Sequence, residues 1–166
     1  MTTESVRMDF QSLKFRTGQL KEGIERLEEK NKQLEKEIQQ LKAKGAQAQA
    51  RNVPMEAVGS FHFYSIRFDE PADPMVLRSF TDAIRKADPE AIICLADSEG
   101  MFVATSGNTA QKMGIGANVM VKLATETAGG SGGGRPEMAQ GRLKEPAKFP
   151  EVLDRIKKFI IEQAKG

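Results

Sequence analysis

The 166-residue sequence has one cysteine, one histidine, one tyrosine and no tryptophan. With Cys94 alone, neither an intrachain disulfide nor a four-ligand zinc cage is possible, and a reducing compartment is the natural setting. The single histidine, His62, lies between Phe61 and Phe63 in a strand-like run and reads as structural. Cys94 lies in an apolar run with no second histidine to serve as its base, which argues against a Cys–His nucleophile. Asp97 and Glu99 fall in a turn, the usual place for solvated carboxylates. No acidic pair has metal-ligand spacing with a histidine. Charge of one sign is also missing: 25 Lys and Arg stand against 23 Asp and Glu. That excludes a strongly polycationic binder but leaves room for a local basic patch. No apolar run approaches the roughly 18 residues of a membrane span, and the first residues lack the hydrophobic core of a signal peptide. These absences predict a soluble, cytoplasmic, non-enzymatic protein with no membrane partner, metal or cofactor.

What is present is unevenly placed. Residues 51–134 carry seven basic and ten acidic side chains, whereas residues 135–166 carry eight and five. The positive surplus therefore lies in residues 1–50 and after residue 134. In the first segment leucine recurs every seven residues, at Leu13, Leu20, Leu27, Leu34 and Leu41. With these at heptad d, the a positions are Phe10, Thr17, Ile24, Asn31 and Ile38. Five heptads in one frame predict a coiled-coil dimerisation helix over residues 1–45. Ile at a, Leu at d and one buried asparagine at a, Asn31, favour a parallel homodimer of fixed register. The pairs Asp9–Lys14, Lys30–Glu35 and Glu37–Lys42 would attract across the seam, and Arg16–Lys21 would repel. Gly18 and Gly23 weaken the helix locally by about 1 kcal/mol each. The alternative is one helix packed on its own domain, or a hairpin.

Residues 46–54, with no large apolar side chain before Val53, read as a fading helix or linker. Residues 55–166 read as a small α/β domain with a central sheet. Val58–Phe68 predicts a strand buried on both sides. Asp73-Pro74 predicts a helix start, with Asp73 as N-cap, and Asp88-Pro89 its end. Ala91–Ala96 predicts a central strand, hairpin-paired to Met101–Thr105. Helices are predicted around 117–128 and from Phe149 to Gln163, the latter with Val152, Leu153, Ile156, Phe159 and Ile160 facing inward.

Between the last two helices lies Gly129-Gly-Ser-Gly-Gly-Gly-Arg-Pro-Glu-Met-Ala-Gln-Gly141. Consecutive free amides in a glycine loop can form an anion-binding nest, and Arg135 offers a rigid fork of donors for phosphate. It is not a mononucleotide loop, because no Gly-Lys-Ser/Thr follows. It is not a dinucleotide fingerprint either, because a helix and not a strand precedes it. A helix cap with a tight turn into a strand explains the glycines equally well.

This stretch resembles the signature of the C-terminal domain of alanyl-tRNA synthetase, within the DHHA1 family shared with DHH phosphoesterases. Arg135-Pro136 and Met138-Ala139-Gln140 resemble the synthetase branch more than the Gly-Gly-Gly-His-type loop of the phosphoesterases. Leu77-Arg78, Asp82 and the apolar strand Ile92–Leu95 agree in order, over about residues 53–163. Arg142 departs from the further glycines of the synthetases. The Asp-His-His motif and the synthetase's catalytic and editing domains are missing, so the chain reads as a stand-alone relative or an excised fragment.

The resemblance implies a tRNA-binding and dimerising module, carried by Gly132, Gly133, Gly134, Arg135 and Gly141. Charge alone adds Arg142, Lys144, Lys148, Arg155, Lys157 and Lys158 as phosphate contacts; a solvated helix face is the alternative for the helical ones. The partners implied are tRNA or another structured RNA, a second copy of the chain, and alanyl-tRNA synthetase. Two other readings stay open: a purely structural dimerisation protein, and the substrate-binding half of a DHH-type phosphoesterase.

Overall fold

In a computed structural model, which describes residues 2–166, the leucine heptads fall on one uninterrupted helix, α1 (Thr3–Ala50). It runs through Gly18 and Gly23 without a break. The chain divides into two units, one ending at Leu41 and one spanning Lys42–Gly166. In the first, the seam stands exposed in the single chain: Leu13, Leu20, Ile24, Leu27, Leu34, Ile38 and Leu41 are 45–68% exposed, and Asn31 is exposed with them.

The second unit opens with the last turns of α1. Residues 46–50 of the segment read as a linker are helical, and Ala46 and Ala50 are buried. Alanine and glutamine favour the helix, and the methyl groups allow close packing in the cluster that also holds Leu77, Phe80 and Ile84. The remaining elements follow in the order β1 (Glu56–Val58), β2 (Phe61–Arg67), α2 (Pro74–Ala87), β3 (Ile92–Ala96), β4 (Met101–Thr105), α3 (Asn108–Lys112), α4 (Ala117–Ala128), β5 (Gly130–Gly134), β6 (Met138–Leu143) and α5 (Phe149–Lys165). The strands form one six-stranded sheet, ordered β1-β2-β3-β4-β6-β5. Only β2 and β3, joined through α2, are parallel; the other neighbours are antiparallel.

Both faces of the central strands are buried, so β3 is a continuous apolar run. One cluster joins Phe63, Cys94 and Phe102 to α4 and α5. The other joins Ile93, Leu95 and Val103 to α2 and the end of α1. The capping signals act as the residues predict: Asp73 Oδ1 accepts the Met75 amide at 2.8 Å, and Pro74 opens α2. Asp88 ends it.

Three readings need correction. The single strand over 58–68 is a hairpin, because Gly59, at φ 61°, turns the chain between β1 and β2. The glycine run is a strand and not a loop. Asp97 is not a solvated turn residue. It is buried, and its carboxylate accepts the amides of Ala72, Glu99 and Met101 at 2.8–3.0 Å. It ties the β3–β4 turn to the segment entering α2, and its removal would leave three part-buried amides without their acceptor.

Candidate nucleic-acid interface

The glycine strand takes its shape from its neighbours. Gly129 ends α4 at φ 68° and turns the chain back along β6. Gly132 then lies opposite Gly141. A methyl group on Gly132 would sit 2.5 Å from the Gly141 Cα and 2.7 Å from both the Gln140 carbonyl and Val121 Cγ1 of α4. Two bare backbones therefore meet under one valine, and no side chain fits between them. Gly133 differs: nothing lies within 4 Å of where its Cβ would be. No packing inside the chain requires glycine there.

As the last strand of the sheet, β5 has a free edge. The Arg135 amide donates to the Met138 carbonyl and the Lys144 amide to the Gly129 carbonyl. In an antiparallel ladder such bonded pairs alternate with unbonded ones. Ser131 and Gly133 therefore bond to β6, while the amides and carbonyls of Gly132 and Gly134 point to the open edge. Those amides are separated along the strand and face one line, so they do not form the concave nest that the sequence allowed.

The basic residues fall into two groups. Arg135, in the β5–β6 turn, is 85% exposed and 3.9 Å from Glu137. Arg142 lies opposite Ser131, exposed, with its guanidinium 3.3 Å from Glu99. Lys144 is exposed beside Gly129 and has no ion pair among the described residues. Glu99, Gly130, Ser131, Arg142, Leu143 and Lys144 line one open cavity of about 600 Å³. These residues share the β5 end of the sheet.

The others do not join them. Lys157 pairs with Glu56 of β1 at 2.7 Å and lies 5.5 Å above the Phe63 ring. That is the opposite edge, five strand spacings or about 24 Å away. Arg155 donates to Glu126 and Thr127, fastening α5 to α4. Lys148 is paired with Glu145. Lys158 is exposed on α5. For Arg155 and Lys157 the geometry is that of intramolecular ties.

Groups with possible chemistry elsewhere are occupied or buried. Cys94 is fully buried, and burial pushes its thiol well above the ordinary range. His62 Nδ1 lies 2.6 Å from Asp88 Oδ2, which also accepts the Tyr64 hydroxyl at 3.3 Å. Burial and the Asp88 charge raise the Tyr64 hydroxyl above its ordinary range. Among the described residues no group of three His, Cys, Asp or Glu side chains could hold a metal ion. Nor, among the described residues, is any helix long and apolar enough to cross a membrane.

A sheet closed by a glycine strand, with Arg-Pro at its turn and Met-Ala-Gln-Gly beside it, matches a known family. Residues 59–162 match the DHHA1 domain. The chain belongs to the DHHA1 domain family. Over 90 residues it is 38% identical to an alanine–tRNA ligase of Alkaliphilus oremlandii, covering 52% of this chain and 10% of the ligase. The chain thus spans about a tenth of the length of the curated relatives it matches. Among solved structures it is similar to the C-Ala domain of Aquifex aeolicus alanyl-tRNA synthetase, with a TM-score of 0.59 and 28% identity, over 65% of this chain and 98% of that one. RecJ from Thermus thermophilus shares the fold, with a TM-score of 0.58 and 17% identity, over 75% of this chain and 17% of that one.

The two glycines of the DHHA1 strand make opposite predictions. Gly132→Ala should lower stability by at least about 2 kcal/mol, because backbone on both strands and Val121 must move. Gly133→Ala should leave stability unchanged or raise it by up to about 1 kcal/mol, through the unfolded chain. Urea unfolding of both variants checks this; equal losses would contradict the strand geometry.

Proposed function

We propose that this DHHA1 domain binds structured RNA, with tRNA the first candidate, and that α1 pairs two copies so that two binding edges act together. One observation carries the reading: a free sheet edge whose only side chain is that of Ser131, flanked by Arg135, Arg142 and Lys144, in a chain similar to the C-Ala domain of an alanyl-tRNA synthetase. A phosphate backbone can approach bare amides closely, and the flanking cations favour it. Arg142 would exchange Glu99 for phosphate at little cost, since an exposed pair is worth about 1 kcal/mol or less. Lys157, tied to Glu56 on the far edge, takes no part. Action beside a synthetase in trans belongs to the same reading.

Binding of tRNA at rising salt tests it. Wild type should bind at low salt and weaken steeply. Arg135→Ala, Arg142→Ala and Lys144→Ala should each weaken binding and reduce the salt slope by about 1, whereas Lys157→Ala should not. Equal affinity for all four variants, or none for wild type, would refute the reading.

The dimer rests on the exposed seam and its attractive g–e pairs. Sedimentation of the full chain should give a dimer, and Leu27→Asp with Leu34→Asp a monomer with the domain still folded. A monomeric wild type would refute the pairing. That result, with RNA binding intact, would leave the domain's role standing.

A further inference from the structure

We infer that the sheet face beside the glycine strand, on the side covered by α2, holds one unpaired nucleotide of the bound RNA, with Arg78 as its phosphate ligand. This rests on the RNA-binding reading above and adds a site to it. The row Val103–Gln140–Gly133 crosses β4, β6 and β5 at one register. It runs about 10 Å, two strand spacings, to the free edge. At its inner end is a groove of about 380 Å³, walled by Asp73, Met75 and Arg78 of the α2 start and floored by Val103, Met138 and Gln140. That is the lower range of small-ligand clefts, about 300–1,000 Å³. At its outer end is Gly133, the glycine that internal packing does not require.

The chemistry of the walls selects the occupant. Val103 and Met138 offer an apolar floor for the flat face of a base. The Gln140 side chain both donates and accepts. Asp73 uses Oδ1 for the Met75 amide, which leaves Oδ2 to accept an amino or ring N–H of a base. Arg78 is exposed and has no ion pair among the described residues, so its fork of donors is open to phosphate. One acid and one arginine in one groove fit a base edge and a single phosphate. They do not fit a duplex backbone, whose next phosphate Asp73 would repel. From this slot the strand would continue over Gly133 to Arg142 and the edge amides.

Two RNA probes separate this site from the edge: a hairpin with an unpaired loop, and a blunt duplex of the same stem. Arg78→Ala, checked for folding by circular dichroism, should lose about tenfold in affinity for the hairpin, the scale of one hydrogen bond to a charged group, and nothing for the duplex. Arg142→Ala should weaken both. Hairpin binding unchanged in Arg78→Ala, or an equal loss for hairpin and duplex, would overturn the slot while leaving RNA binding in place. Failure of wild type to bind either probe would overturn both.

Discussion

The close approach of Gly132 and Gly141 under Val121 is the constraint on which the rest of the domain depends. A side chain at Gly132 would part β5 from β6 or lift α4 from the sheet, and one at Gly141 would press on Ser131 and Val121 at 3.0–3.1 Å. Because the two backbones touch, α4 can lie flat across the end of the sheet. Ala117, Met120, Val121, Ala124 and Ala128 are then all buried against it. The same contact forbids a side chain at Gly132, and with glycine also at 130, 133 and 134 the strand carries only the Ser131 side chain. Stability and accessibility thus come from one feature. Exposed edges are an aggregation liability that proteins blunt with charge, and here Arg135, Arg142 and Lys144 stand around the edge.

The two faces of the sheet are treated differently. α4 and α5 cover one face as far as β5 and β6, whereas α2 and the end of α1 form a cluster with β2, β3 and β4. On the α2 side, β6 presents the exposed Gln140 and Arg142 and the half-buried Met138; on the other it presents the buried Ala139, Gly141 and Leu143. This alternation is what a strand with one dry and one wet face produces. The uncovered corner, where bare backbone, cations and a groove meet, is where a partner's backbone and one of its bases would be read together.

Much of this was legible in the residues. Asp73-Pro74 announces α2 because its capping chemistry is local. The heptads announce α1 because their period extends over five turns of the pattern. The family signature was legible because it is short and specific. The strand character of residues 130–134 was not, since glycine disfavours strands and only pairing with β6 imposes one. Asp97 looked solvated because one of its partners, Ala72, is 25 residues away. Counting charges brought Lys157 into the site, while its actual partner, Glu56, lies 101 residues off in sequence. For Asp97 and Lys157 the missing information was a long-range contact; for residues 130–134 it was the pairing with the neighbouring strand of a hairpin.

As an edge strand, β5 is proposed to meet RNA through its outward amides. Residue-resolved amide hydrogen exchange with and without tRNA tests it most directly. In the free protein, Ser131 and Gly133 should be protected and Gly132 and Gly134 should exchange fast, following the ladder. With tRNA bound, Gly132 and Gly134 should slow while the amides of β1, on the far edge, do not change. Uniform exchange along residues 130–134, or slowing confined to β1, would contradict the account.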